Sequence, residues 1–124
     1  MEFLNIDATQ DTPAVLFDRD TNTFIISGRS YPENAFMFYK RLMEWMEVYV
    51  KEANEVTVLV IKLEYYNTAT SKQLFKIFLL LEELNKSSKK VKIQWYYKTN
   101  DADHKLQGEL FAKVINIPFE YFSF

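Results

Sequence analysis

The run Val56–Tyr65 (VTVLVIKLEY) constrains this chain more than any other stretch of it. Val58 to Ile61 is apolar at four consecutive positions and rich in β-branched residues, which reads as a strand buried on both faces at the centre of a sheet. From Ile61 onward the pattern alternates, with Lys62 and Glu64 facing the other way. Long helical periodicities precede and follow it. A buried strand between two helices requires a sheet with helical cover, so the fold class is α/β.

The other elements follow from that anchor. Thr12–Asp18 (TPAVLFD) and Thr23–Ser27 (TFIIS) flank the polar turn Asp18–Asn22 and read as a hairpin. Ser30-Tyr31-Pro32-Glu33 fits a capping box, with Ser30 as N-cap, Glu33 three residues on, and Pro32 in the first turn. The helix it opens runs to about Ala53. Phe38, Leu42, Trp45 or Met46, and Tyr49 recur along it at helical spacing, and Phe36, Met43 and Val50 widen the stripe.

After the central strand, Asn67-Thr68-Ala69-Thr70 reads as a short loop. Thr70 and Gln73 form a second capping-box match, predicting a helix from Ser71 to about Asn85. Leu74, Ile77, Phe78, Leu81 and Leu84 share its inward face. Lys86 to Lys90 is a basic turn, and Val91–Lys98 (VKIQWYYK) alternates as a half-solvated strand. Asp101 to Ile115 is a weaker third helix, and Phe119–Phe124 a final edge strand. The expected architecture is one domain over 1–124, a mixed sheet of about five strands with about three helices, in the order β-β-α-β-α-β-α-β.

Composition removes whole classes of function. With no Cys and one His in 124 residues, thiol chemistry and multi-histidine metal sites are excluded. Two glycines, Gly28 and Gly108, cannot build a dinucleotide or P-loop fingerprint. A net charge of -2 argues against nucleic acid, which requires a basic footprint. The opening MEFLNIDATQ has no basic region followed by an apolar stretch, and the run Ile77–Leu81 is too short to span a bilayer. The expectation is a cytoplasmic domain with no cofactor, no metal and no membrane partner.

Catalytic candidates are few. His104, set in the polar run DADHK, reads as an exposed helix residue with no activated Ser to serve. Glu44, Glu47, Glu82, Glu83 and Glu109 read as surface charges, and the lysines from Lys86 to Lys92 as a solvated turn. The chemically richer place is the junction of the central strand and the second helix. A helix N-terminus collects free N–H groups and the positive end of the helix dipole, and so favours an anion. Thr68, Thr70 and Ser71 crowd there, a cluster that the residues alone explain by the ordinary abundance of hydroxyls at helix starts and that would also suit a phosphorylation site. Thr70 has work as the expected N-cap, whereas Thr68 precedes the cap and has none. Phe75 and Leu79, four residues apart, point away from the inward face of the second helix, and the pair reads equally as packing on a neighbouring helix or as an exposed apolar patch for a protein partner.

The segments Thr12-Pro13-Ala14, Gly28-Arg29-Ser30-Tyr31-Pro32-Glu33-Asn34, Tyr65-Tyr66-Asn67-Thr68, Trp95-Tyr96-Tyr97 and Pro118-Phe119 carry a resemblance to the SiaC family of bacterial regulatory phosphoproteins. The resemblance runs from Thr12 to Phe119. It implies a STAS-like fold, similar to anti-sigma factor antagonists, and a partner-switching role rather than an enzyme. It also implies phosphorylation by a kinase at Thr68, with Thr70 and Ser71 as alternates, and reversal by a serine/threonine phosphatase. A diguanylate cyclase is the implied client, linking the switch to cyclic di-GMP and biofilm behaviour. On this reading Asn67, Phe75 and Leu79 dock on the partner while Thr68 is unmodified. A phosphate would then place a hydrated dianion in the contact, and burying it unpaired would cost several kcal/mol. The alternative is a constitutive interaction domain that dimerises through its aromatic faces without modification.

Overall fold

The computed structural model describes residues 1–124. Six strands form one sheet: β1 Leu4–Ile6, β2 Ala14–Asp18, β3 Thr23–Ser30, β4 Val56–Tyr66, β5 Lys90–Tyr97 and β6 Phe119–Ser123. Three helices alternate with the last four strands: α1 Ala35–Tyr49, α2 Thr68–Asn85 and α3 Ala102–Val114. The strand order in space is the order in sequence, β1 to β6. Pairs β1–β2 and β2–β3 are antiparallel, and β3 through β6 run parallel. Successive right-handed crossovers that advance in one direction place every helix on the same face of the sheet.

That topology decides which side chains are buried. On the covered face lie Phe17, Phe24, Ile26, Leu59, Ile61, Leu63, Ile93 and Trp95, all essentially without accessible surface. Tyr39, Leu42, Met46 and Tyr49 of α1 close over them, as do Leu74, Ile77, Phe78 and Leu81 of α2. The α2 face therefore matches the expected set. In α1 the expected Leu42, Met46 and Tyr49 are buried, but Phe36 is 56% exposed, with the Lys76 ammonium 5.5 Å from its ring centroid. Every buried side-chain nitrogen and oxygen has a hydrogen-bond partner.

The mixed sheet has six strands where about five are expected, the addition being β1, which pairs Leu4–Ile6 with Phe17–Val15. Three expectations need correction. The central strand is not buried on both faces: Val58 and Val60 point to the side without helices and remain half-buried. Neither capping box caps. Ser30 is the last residue of β3, and the N-cap of α1 is Asn34, whose side chain accepts from Met37 N–H at 3.1 Å. Thr70 lies inside α2, whose N-cap is Asn67. Asn is as good an N-cap as Ser and better than Thr, so in both places a nearby Asn displaced the pattern residue.

Gly28 marks the one irregularity of the parallel pairing. The β3–β4 register shifts between Gly28 and Arg29, and Gly28 has φ +98°. No atom lies closer than 4.0 Å to where its Cβ would be, so backbone conformation and not crowding calls for glycine. The bulge sits two residues before Ser30, at the same end of the sheet as the start of α2.

Candidate functional site

Strand β4 ends at Tyr66, and α2 begins two residues later. Asn67 makes this turn sharp. Its backbone is extended (φ −99°, ψ 176°), and its side-chain oxygen accepts from Thr70 N–H at 2.9 Å. Its own N–H donates to Ser30 C=O at 3.2 Å, which ties the turn to the end of β3. One of the free donors at the helix start is thereby satisfied, and the helix begins three residues earlier than the capping-box pattern predicts.

Thr68 is thus the first helical residue and not a loop residue. It is exposed, while Ser71 is half-buried and Thr70 has no accessible surface. The first turn of α2 carries no acidic residue, so the positive end of the helix dipole is unopposed there. The capping-box pattern assigns the cap to Thr70 and leaves Thr68 outside the helix. Instead the Thr70 hydroxyl is built into the core, 2.8 Å from Ser30 Oγ and donating to Ser30 C=O at 2.9 Å.

Beside Thr68 a cleft of about 340 Å³ opens between α2 and α3. Thr68, Ser71 and Phe75 form its α2 wall, and Leu110, Phe111 and Val114 its α3 wall. Tyr66, Asn67 and Gln107 close the end near the strand, where the Tyr66 hydroxyl donates to the Gln107 side-chain oxygen. Burial pushes the Tyr66 phenol well above its ordinary range, so it stays a neutral donor. Asn67 and Phe75, two of the three residues expected to surround Thr68, do line this cleft. The third, Leu79, is not part of its lining and stands 40% exposed one turn beyond Phe75 on α2.

The α3 wall is absent from the residues expected on sequence. Leu106, Leu110 and Val114 are spaced at i, i+4 and i+8, and all three are exposed, Val114 at 64%. An apolar stripe that the core leaves uncovered is legible in that spacing.

His104 also departs from expectation. It is buried, with its ring Nδ1 accepting from Lys98 N–H at 2.9 Å and its backbone carbonyl accepting from Trp95 Nε1–H at 3.0 Å. Its own N–H donates to the side chain of Asp101, the N-cap of α3. The imidazole is a structural acceptor joining α3 to the end of β5. No three His, Asp or Glu side chains converge as a metal site requires. No helix is long and apolar enough to cross a membrane.

One sheet covered by three helices on a single face, with a hydroxyl exposed at a helix start beside an apolar cleft, defines a small mixed α/β domain of one sheet and one helical layer. The family model described as SiaC family regulatory phosphoprotein matches residues 6–124, and this chain belongs to that family. An uncharacterized protein of Pseudomonas aeruginosa strain UCBPP-PA14 is 29% identical over 119 residues, covering 96% of this chain and 94% of the relative. The structure of SiaC of Pseudomonas aeruginosa superposes with a TM-score of 0.90 at 29% identity over the whole of both proteins. A second structure, of the diguanylate cyclase SiaD in complex with its activator SiaC from the same organism, matches with a TM-score of 0.91 at 28% identity, over 98% of this chain and 99% of the matched one.

Proposed function

We propose that this protein is a phosphorylation-controlled partner switch whose modified residue is Thr68. Its unmodified form docks through the α2–α3 cleft face. The observation that carries this reading is the placement of Thr68: an exposed hydroxyl in the first turn of α2, on the rim of an apolar cleft. Of the three hydroxyls at the junction, it belongs to the one residue that is exposed, Ser71 being half-buried and Thr70 buried.

The chemistry follows from the surroundings. A phosphate on Thr68 carries a charge of about -1.5 to -2 and would be held by the helix dipole and by Lys72, four residues on. The modified state is therefore stable in the free protein. In a complex the same dianion would stand against Phe75 and Leu110 and lose its water, at a cost of several kcal/mol if unpaired. A loss of that size abolishes a micromolar complex. A protein kinase and a serine/threonine phosphatase would set the two states.

The client we propose is a diguanylate cyclase. This rests on family membership and on the likeness to a SiaC that is the activator of SiaD. The test is cyclase activity measured with a SiaD-type cyclase from the same cells as this protein. Wild type is expected to stimulate it, whereas Thr68→Asp and Leu110→Glu should not. Stimulation by Thr68→Asp equal to that by wild type would remove the switch. Equal stimulation by Leu110→Glu would remove the cleft as the docking face.

A further inference from the structure

Beneath Thr68 lies a relay of three buried hydroxyls from three different elements. Ser30 ends β3, Tyr39 stands in the second turn of α1, and Thr70 in the first turn of α2. Their exposures are 0%, 1% and 0%. Tyr39 OH is 2.7 Å from Ser30 Oγ, Ser30 Oγ is 2.8 Å from Thr70 Oγ1, and Thr70 Oγ1 donates to Ser30 C=O at 2.9 Å.

A hydroxyl has one hydrogen to give, so the last bond fixes the direction of the others. The Thr70 hydrogen goes to Ser30 C=O, so Ser30 must donate to Thr70 and Tyr39 must donate to Ser30. Each member is satisfied in one arrangement only. Ser30 C=O also accepts from Asn67 N–H, and Asn67 caps the helix that Thr68 begins. The end of β3 thus holds the turn on both sides of Thr68, through residues 67 and 70.

We propose that Thr70, Ser30 and Tyr39 are positioning residues that hold the first turn of α2 in one conformation, so that the Thr68 hydroxyl meets its modifying enzyme already oriented. The proposal rests on the reading of Thr68 as the modified residue. A hydroxyl presented on a fixed turn needs no ordering when the enzyme binds, and modification is faster for it. Thr70 is a participant in this anchor and not an acceptor of phosphate, because its one hydrogen is already committed inside the core.

The test uses Thr70→Val, which keeps the shape of the side chain and removes the hydroxyl. Thr70→Ser is the rescue, and Tyr39→Phe cuts the far end of the relay. Amide hydrogen exchange at Asn67, Thr70 and Ser71 reads the anchor directly, with amides of β4 and β5 as internal reference. Thr70→Val should speed exchange at those three amides about three- to tenfold, as loss of one hydrogen bond implies, and leave the sheet unchanged. Thr70→Ser should restore them, and Tyr39→Phe should loosen the same three.

The phosphorylated fraction of Thr68 in native cells is the second readout. It should fall in Thr70→Val and recover in Thr70→Ser. Unchanged local exchange in Thr70→Val overturns the proposal. So does a uniform rise across the sheet, failure of the Ser rescue, or a phosphorylated fraction equal to wild type. If wild-type Thr68 carries no phosphate while exchange behaves as expected, the anchor stands and the phospho-acceptor reading falls.

Discussion

Thr68 and Thr70 stand two residues apart in the first turn of α2, yet Thr68 is exposed and Thr70 has no accessible surface. Two positions on a helix are separated by about 200° of rotation, so adjacent hydroxyls face opposite worlds. That separation leaves the Thr68 hydroxyl in solvent and commits the Thr70 hydroxyl to the core. It also sets what substitutions there should do.

Thr68→Asp should stabilise the protein slightly. An anion at the first helical position interacts with the dipole, and Lys72 follows at i+4. The expected gain is about 0.5 kcal/mol relative to Thr68→Ala, shrinking at high salt. Urea denaturation of the two variants at low and high salt checks it. A loss of stability in Thr68→Asp would show that a charge at this position is opposed.

Asn67→Ala should cost about 1 kcal/mol, the usual value of an N-cap. Asn67→Ser or Asn67→Asp should recover most of it, since either replacement still accepts from Thr70 N–H. The check is the denaturant midpoint of the three variants. Capping by Thr70, as the T-x-x-Q pattern suggests, would instead leave Asn67→Ala silent.

Gly108→Ala reverses the ordinary sign of a glycine substitution in a helix, which usually gains about 1 kcal/mol. A Cβ at Gly108 would lie 2.5 Å from Trp95 Cδ1. The indole cannot retreat, because it is fully buried and its Nε1–H is held by His104 C=O. Overpacking should outweigh the helix gain and leave a net loss of about 1–2 kcal/mol. Thermal denaturation followed by Trp fluorescence reads both the stability and the displacement of the ring.

Stability should fall in mild acid through His104. Burial, with help from the nearby Lys98 charge and against the Asp101 carboxylate, holds its imidazole below the ordinary 6.5. Protonation also removes the acceptor that Lys98 N–H uses. The unfolded chain therefore takes up the proton first, and this contribution is complete above pH 6.5 and lost as pH falls through the lowered value. At the other extreme, burial raises the Tyr39 phenol to about 12 despite its bonds to Ser30 and Thr70. Its contribution is complete below pH 10 and lost as pH rises toward 12. Urea midpoints for wild type and His104→Gln between about pH 5 and 8 separate the acid limb. A slope identical in the two proteins would contradict it.

Much of this fold is legible in the sequence because period and burial agree. The α2 face Leu74, Ile77, Phe78, Leu81, Leu84 and the alternation of Val91–Tyr97 match for that reason. The departures have physical causes of their own. Strand β1 is three residues long and has no period to detect. Val58–Ile61 is apolar throughout, and sequence does not record that all helices lie on one side of the sheet. Ser30 and Thr70 match capping boxes, but their hydroxyls serve the core instead. His104 is hidden by polar neighbours, although Asp101 as N-cap would place it inward with Gly108 and Phe111. The candidate site is half legible: Asn67 and Phe75 line the cleft beside Thr68, while its α3 wall lies in the weakest of the three helical patterns.

The most direct measurement is phosphopeptide mapping of this protein purified from its native cells, with and without phosphatase treatment. The account predicts one phosphate, on Thr68, that phosphatase removes. A phosphate on Thr70 would contradict the buried anchor, and one on Ser71 the choice of acceptor. No phosphate in any growth state would contradict the switch itself.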